Sequence, residues 1–168
     1  MKEKKLSETL LKRAVSLGLC EEWTNAWGNP DPQALIDKYI RGIDFAIKHD
    51  YPSTSFIKEN FSNEILHKNN IFVDEKVQCN NPKHVVVLNG ECSGTLQFNG
   101  FAVCNIYVRH KCDITVNCSE YCKVFINVYD SSKVKVSQKD ISSVYVYTHG
   151  ENCTIETYGD VMIRKSQM

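Results

Sequence analysis

A ten-residue period runs through the second half of this chain and limits its fold more than any other feature. Small side chains recur at Cys92, Ala102, Cys112, Cys122, Ser132 and Ser142, and Cys153 follows after a one-residue slip. Turn-compatible residues stand just before them, at Gly90, Gly100, His110, Glu120, Asp130, Asp140 and Gly150. Alternating apolar pairs come just after: Leu96 and Phe98, Ile106 and Val108, Ile114 and Val116, Val124 and Ile126, Val134 and Val136, Val144 and Val146. Past the slip come Ile155, then Val161 with Ile163. Three kinds of position that share one phase mark a structural repeat rather than a chance pattern.

Each unit divides into a short strand and a turn, and alternation along the strand sends one side to a core and the other outward. Two architectures accommodate this. In a β-solenoid, or β-helix, each unit is a half-coil and two units make a coil that stacks on the last. In an antiparallel meander or sandwich, each unit is a strand of its own. The Asn-Gly pairs at 89–90 and 99–100 are hairpin signals. The constant small residue argues for the solenoid, because stacked coils give every unit the same corner, whereas a meander alternates its ends. The expected fold is therefore α+β: a helical cap or flanking region over residues 1–70, then a β-solenoid of about ten-residue half-coils over residues 71–168.

The solenoid makes a register claim. Residues twenty apart should lie above one another at about 4.8 Å. One outward face then aligns Asn105, Phe125 and Tyr145, next Tyr107, Asn127 and Tyr147, and at its margin Arg109, Tyr129 and His149. The opposite face aligns Asp113 with Lys133, Thr115 with Lys135, and Asn117 with Ser137. An exposed aromatic sheet face meets a partner. A second copy of the chain ranks first as that partner, the chain's own helical half second, and a ligand or foreign protein third. Open coil ends would also expose strand edges. The helical half is placed to cap the first coil, and a second subunit could cover the last strand, Val161 to Ile163, end to end.

In the first half, Ser7 is expected to cap a helix that runs to Leu17 and ends at Gly18, with Leu10, Leu11, Ala14 and Val15 as its stripe. Glu21 to Trp27 reads as a short helix whose two tryptophans, Trp23 and Trp27, pack inward or anchor an interface. Asp31 followed by Pro32 opens a helix expected to reach about His49, with Leu35, Ile36, Tyr39, Ile40, Ile43, Ala46 and Ile47 on one face. Beyond Tyr51-Pro52, Ser53 or Thr54 starts a helix to Phe61, and Ser62 opens a last turn to Lys68. Packing elements explain these short helices better than a helix-turn-helix does.

The chemistry-bearing residues do not converge. Cys104, Cys112, Cys118 and Cys122 are separated by seven, five and three residues, with no two-residue gap of a zinc knuckle. Cys112 and Cys122 are already explained as small inward fillers. A column of Glu120 above Asp140 and His110 above Asp130 could hold a cation, but solvated turns account for it. His49, His67 and His84 have no evident acid–base partner. No nucleophile elbow, zinc-protease motif, phosphate loop or dinucleotide fingerprint occurs, so neither catalytic residues nor a cofactor or metal is expected.

Charge is balanced, with 20 basic and 20 acidic residues among 168. Residues 1–75 carry 10 basic and 12 acidic side chains, net −2, and the remainder carry 10 and 8, net +2. Neither half has the field that draws a protein to nucleic acid or an anionic membrane. No apolar run is long enough to span a bilayer. Leu10 and Leu11 run straight into Lys12 and Arg13, unlike the core of a signal peptide. The expected location is the cytoplasm, where the eight cysteines remain thiols.

Leu19-Cys-Glu-Glu-Trp, the segment from Leu35-Ile-Asp-Lys-Tyr to His49-Asp-Tyr-Pro-Ser, Tyr107-Val-Arg-His and Val124-Phe-Ile-Asn-Val-Tyr-Asp together resemble a group of uncharacterised small bacterial proteins. These occur in gut anaerobes and among prophage or mobile-element genes. The resemblance runs along most of the chain and implies a bacterial accessory role, with no activity to carry over. The leading expectation is a non-enzymatic structural or interaction protein that self-associates through Asn105, Tyr107, Arg109, Phe125, Tyr129, Tyr145, Tyr147 and His149. The alternatives are a phage- or mobile-element-related regulatory protein that binds a host macromolecule, and an enzyme of unknown class.

Overall fold

The computed structural model describes residues 2–166, and the side chains of residues 2 and 3 fall outside that description. The chain divides into two compact units at Leu66/His67, four residues before the boundary expected from sequence. No helix among the described residues is long and apolar enough to cross a membrane.

The first unit is helical. Its elements are α1 (Lys2–Ser16), α2 (Glu21–Asn25), α3 (Pro32–Arg41), α4 (Ile43–His49), α5 (Thr54–Asn60) and α6 (Asn63–Lys68), the last of which crosses the division. Several boundaries follow local chemistry. Asp31 accepts the Ala34 N–H at 2.8 Å ahead of Pro32, and Ser53 Oγ accepts the Phe56 N–H at 3.3 Å. Gly18, at φ 94°, ends the first helix as expected.

Two expectations fail here. Ser7 is no cap, since α1 starts earlier. It lies buried in mid-helix, and its Oγ accepts the Trp27 indole N–H at 3.0 Å. The long helix from Pro32 is broken at Gly42, which has φ −99° and ψ 28° and serves as both the C-cap of α3 and the N-cap of α4. A Cβ there would lie 3.1 Å from the Lys38 carbonyl oxygen, a tight approach, and 3.6 Å from the Trp23 ring, an ordinary contact.

The second unit is a parallel β-solenoid of about five coils. One sheet, here sheet A, has the order β1 (Ile71–Val73), β3 (His84–Asn89), β5 (Val103–Val108), β7 (Lys123–Tyr129), β9 (Ser143–His149), β11 (Val161–Lys165). Sheet B has the order β2 (Lys76–Asn80), β4 (Ser93–Phe98), β6 (Asp113–Cys118), β8 (Lys133–Gln138), β10 (Thr154–Tyr158). All neighbours in both sheets pair in parallel, so the antiparallel meander is excluded.

Inward residues stack into aliphatic ladders. Val86, Ile106, Ile126 and Val146 follow one another from coil to coil with no exposed surface. Leu96, Val116 and Val136 do the same in sheet B. Each such side chain contributes about 1.5–3 kcal/mol by leaving water. Cys92, Cys112, Cys122, Ser132 and Ser142 fill the buried corner position that the period marked, whereas Ala102 and Cys153 are only half-buried.

The turn position has a physical cause that its varied residue types conceal. Gly90, Gly100, His110, Glu120, Asp130 and Asp140 all adopt left-handed backbone, with φ between 56° and 75°. Asn89-Gly90 and Asn99-Gly100 therefore form coil corners rather than hairpins. Where glycine is absent, the side chain reaches one coil back. Asp130 accepts the His110 N–H at 2.8 Å, Asp140 the Glu120 N–H at 2.9 Å, Glu120 the Gly100 N–H at 2.8 Å, and His110 Nδ1 the Gly90 N–H at 2.9 Å. The expected vertical pairs are thus real. Their acceptor groups hold the neighbouring corner's backbone rather than simply facing water.

Candidate functional site

Alternation along β5, β7 and β9 directs Asn105 and Tyr107, then Phe125, Asn127 and Tyr129, then Tyr145, Tyr147 and His149 to the outer side of sheet A. The register is the one expected. Asn105 pairs with Phe125 and Phe125 with Tyr145, Tyr107 with Asn127 and Asn127 with Tyr147, and Tyr129 with His149.

Two columns bring their rings into contact. Phe125 and Tyr145 stack with centroids 5.2 Å apart and planes 13° from parallel. Tyr129 and His149 stack at 4.2 Å and 10°. The Lys123 ammonium lies over both rings of the first column, 5.6 Å from Phe125 and 5.8 Å from Tyr145. In the middle column Asn127 separates Tyr107 from Tyr147. Its Oδ1 lies 3.2 Å from His149 Nε2, and its amide donates to the Ile106 carbonyl at 3.5 Å. The rings are half-buried because each rests on its neighbours, and Asn105 is exposed.

Arg109 departs from the expectation. It occupies the column of Tyr129 and His149 but is 2% exposed, so it is no margin residue of a free face. Its guanidinium turns one coil back and donates to Asn89 Oδ1 at 3.0 Å, and Asn89 is itself fully buried. A buried cation held by a buried amide is a structural feature of the first coils.

A second apolar feature went unread in the sequence. Phe101, Tyr121 and Ile141 sit one residue past the left-handed position on the corner that leads into sheet A, and are 82%, 56% and 66% exposed. Phe101 and Tyr121 stack at 4.9 Å and 14°. The opposite corner carries Glu91, Lys111, Ser131 and Glu151 at the same offset. A twenty-residue comparison, rather than a ten-residue one, separates the two corners. The ridge leads into Val103, 57% exposed, and Lys123, which adjoin the ring columns.

The outer side of sheet B is polar, as expected. Asp113 pairs with Lys133, Thr115 with Lys135 and Asn117 with Ser137. Lys135 continues to Glu156, its Nζ 3.9 Å from the carboxylate, and lies over the Tyr158 ring at 5.1 Å.

Elsewhere the cysteines are all free thiols. Burial pushes Cys104 up to about 12 and also raises Cys118, so both stay protonated and unreactive at neutral pH. His67 does have a carboxylate partner, contrary to expectation: its Nε2 lies 2.9 Å from Glu75, and its ring tilts against Phe72 at 5.3 Å. Among the described residues no group of His, Cys, Asp or Glu is arranged to hold a metal ion. The chain matches no family model, no curated protein and no solved structure.

Proposed function

We propose that this protein is a non-enzymatic interaction scaffold whose copies associate through the ring-bearing outer face of sheet A. The observation that carries the reading is the stacking of Phe125 on Tyr145 and of Tyr129 on His149 across adjacent coils. Stacked rings on a rigid sheet have already lost rotamer freedom, so a partner that covers them orders little that was mobile. Tyrosine and phenylalanine on such a face supply apolar area with polar tips, the composition of interface centres. The Phe101–Tyr121–Ile141 ridge extends the apolar surface around the adjoining corner, while sheet B turns charge outward.

A second copy presents the same rings by symmetry and needs no other partner to supply complementarity. The reading fits a cytoplasmic accessory protein of bacterial origin. Sedimentation velocity of the wild type against the double variant Phe125→Asp with Tyr145→Asp tests it, with circular dichroism to confirm that both fold. The reading expects a larger species for the wild type and a smaller one for the variant. Equal sedimentation of two folded proteins refutes it.

A further inference from the structure

Among the described residues the solenoid ends in a step. β11 is the last strand of sheet A and β10 the last of sheet B, and the outer edge of neither pairs with a strand among the described residues. Such edges present rows of N–H and C=O groups ready for another chain. The core is open at the same place. Ile163 is in register with fully buried Val146 yet is 49% exposed, and Ile155, in register with buried Val134, is only half-buried. We propose that this end docks a second copy of the chain about a two-fold axis parallel to the strands, with β11 of each copy paired antiparallel to β10 of the other.

Two arguments select this arrangement. The first is the step. A coil climbs about 4.8 Å per turn, so β11 stands about half that height above β10. A two-fold normal to the sheets would lay β11 on β11 and β10 on β10, and setting one pair at hydrogen-bonding distance would misplace the other by about one strand spacing. A two-fold along the strands lays β11 on β10 at both places, and both gaps close together. The chain runs one way along sheet A and returns along sheet B, so the new pairs are antiparallel, which is the stronger ladder.

The second argument is charge. β11 carries Arg164 and Lys165, and β10 carries Glu156. Like-on-like pairing brings strands of the same sign together, whereas β11 on β10 brings opposite signs together twice. One register keeps inward residues inward and sets Arg164 opposite the partner's Glu156. It also sets Ile163 opposite the partner's Thr157 and Met162 opposite the partner's Tyr158. The exposed core end is then covered, and the two edges become interior strands.

This contact does not rest on the ring face, and the two can be separated. Glu156 lies on sheet B, away from the rings, so ring-face association leaves an E156R variant unchanged. Native mass spectrometry would be run on the chain with its ring face disabled by Phe125→Asp and Tyr145→Asp, and in that background on E156R, R164E, an equimolar mixture of the two, and E156R/R164E, with circular dichroism of each.

Each single variant brings like charges together twice and loses self-association. In the mixture every pair is again of opposite sign, so mixed dimers outnumber self-dimers by roughly tenfold rather than matching them as chance would. The E156R/R164E protein regains association with itself. Loss through misfolding of the last coil, where Glu156 also faces Lys135, would not be rescued by mixing. A statistical mixture, an E156R/R164E protein that stays monomeric, or a ring-disabled parent without dimers overturns the proposal.

Discussion

Asp130 sits at φ 57° on an exposed corner, and its carboxylate accepts the His110 backbone N–H from the preceding coil at 2.8 Å. Two opposing terms meet at this residue and can be taken apart by substitution. Losing the hydrogen bond costs about 1 kcal/mol, taken at the low end for a charged acceptor because the site is exposed. A side chain that holds left-handed backbone without local hydrogen bonding costs about a further 1 kcal/mol. Asp130→Ala combines both and should destabilise by about 2 kcal/mol. Asp130→Gly loses the bond but carries no backbone penalty, and should destabilise by about 1 kcal/mol, half the alanine effect. Asp130→Asn keeps an acceptor and tolerates the conformation, so it should lie within about 0.5 kcal/mol of the wild type. Urea unfolding followed by far-ultraviolet circular dichroism measures all three. If glycine and alanine are equally destabilising, the corner is not left-handed. If alanine is neutral, the twenty-residue contact between corners is absent.

Gly94 has φ 140°, and a Cβ there would lie 1.9 Å from the Val77 carbonyl oxygen, whereas Gly150, at φ 134°, has open space around it. Gly94→Ala should therefore cost more than about 3 kcal/mol and Gly150→Ala only about 1 kcal/mol, a contrast visible in thermal melts. High pH should weaken the fold. Burial raises the Cys104 thiol from 9.0 to about 12, and burial likewise raises Tyr51 from 10.0 to about 12. Both groups are favoured neutral in the folded state. Their contribution is complete below pH 9 and is lost as pH climbs to about 12, which a pH series of unfolding midpoints reads directly. In native protein at pH 8, a thiol reagent should modify exposed Cys20 rapidly and reach Cys104 only on unfolding.

Periodicity made the solenoid and its register legible, because in stacked coils a residue's neighbour is determined by sequence distance alone. The columns Asn105–Phe125–Tyr145 and Thr115–Lys135 could be written down before any coordinates. Side-chain direction within a column could not. Arg109 and Tyr129 share a position, yet one turns back to buried Asn89 and the other faces out.

The left-handed corners were hidden because glycine, histidine, glutamate and aspartate all occupy them. Only a hydrogen bond to the coil before explains why non-glycine residues are accepted. The break at Gly42 was hidden because a lone glycine leaves the helical spacing of the apolar stripe around it intact and reads as a tolerated interior residue. Ser7 was misread because a serine near a helix start caps by default, and nothing local announces that Trp27 will claim its hydroxyl. The corner ridge of Phe101, Tyr121 and Ile141 was in plain view, but a ten-residue comparison averages it with the polar corner opposite.

The claim that the ring face joins copies of this chain is tested most directly by site-specific photocrosslinking. A benzophenone side chain would be placed at Tyr147 on sheet A and, separately, at Thr115 on sheet B. The account predicts a covalent dimer from Tyr147, mapped by mass spectrometry to the ring columns of the second copy, and none from Thr115. Equal yield from the two positions, or no dimer from Tyr147, would contradict it.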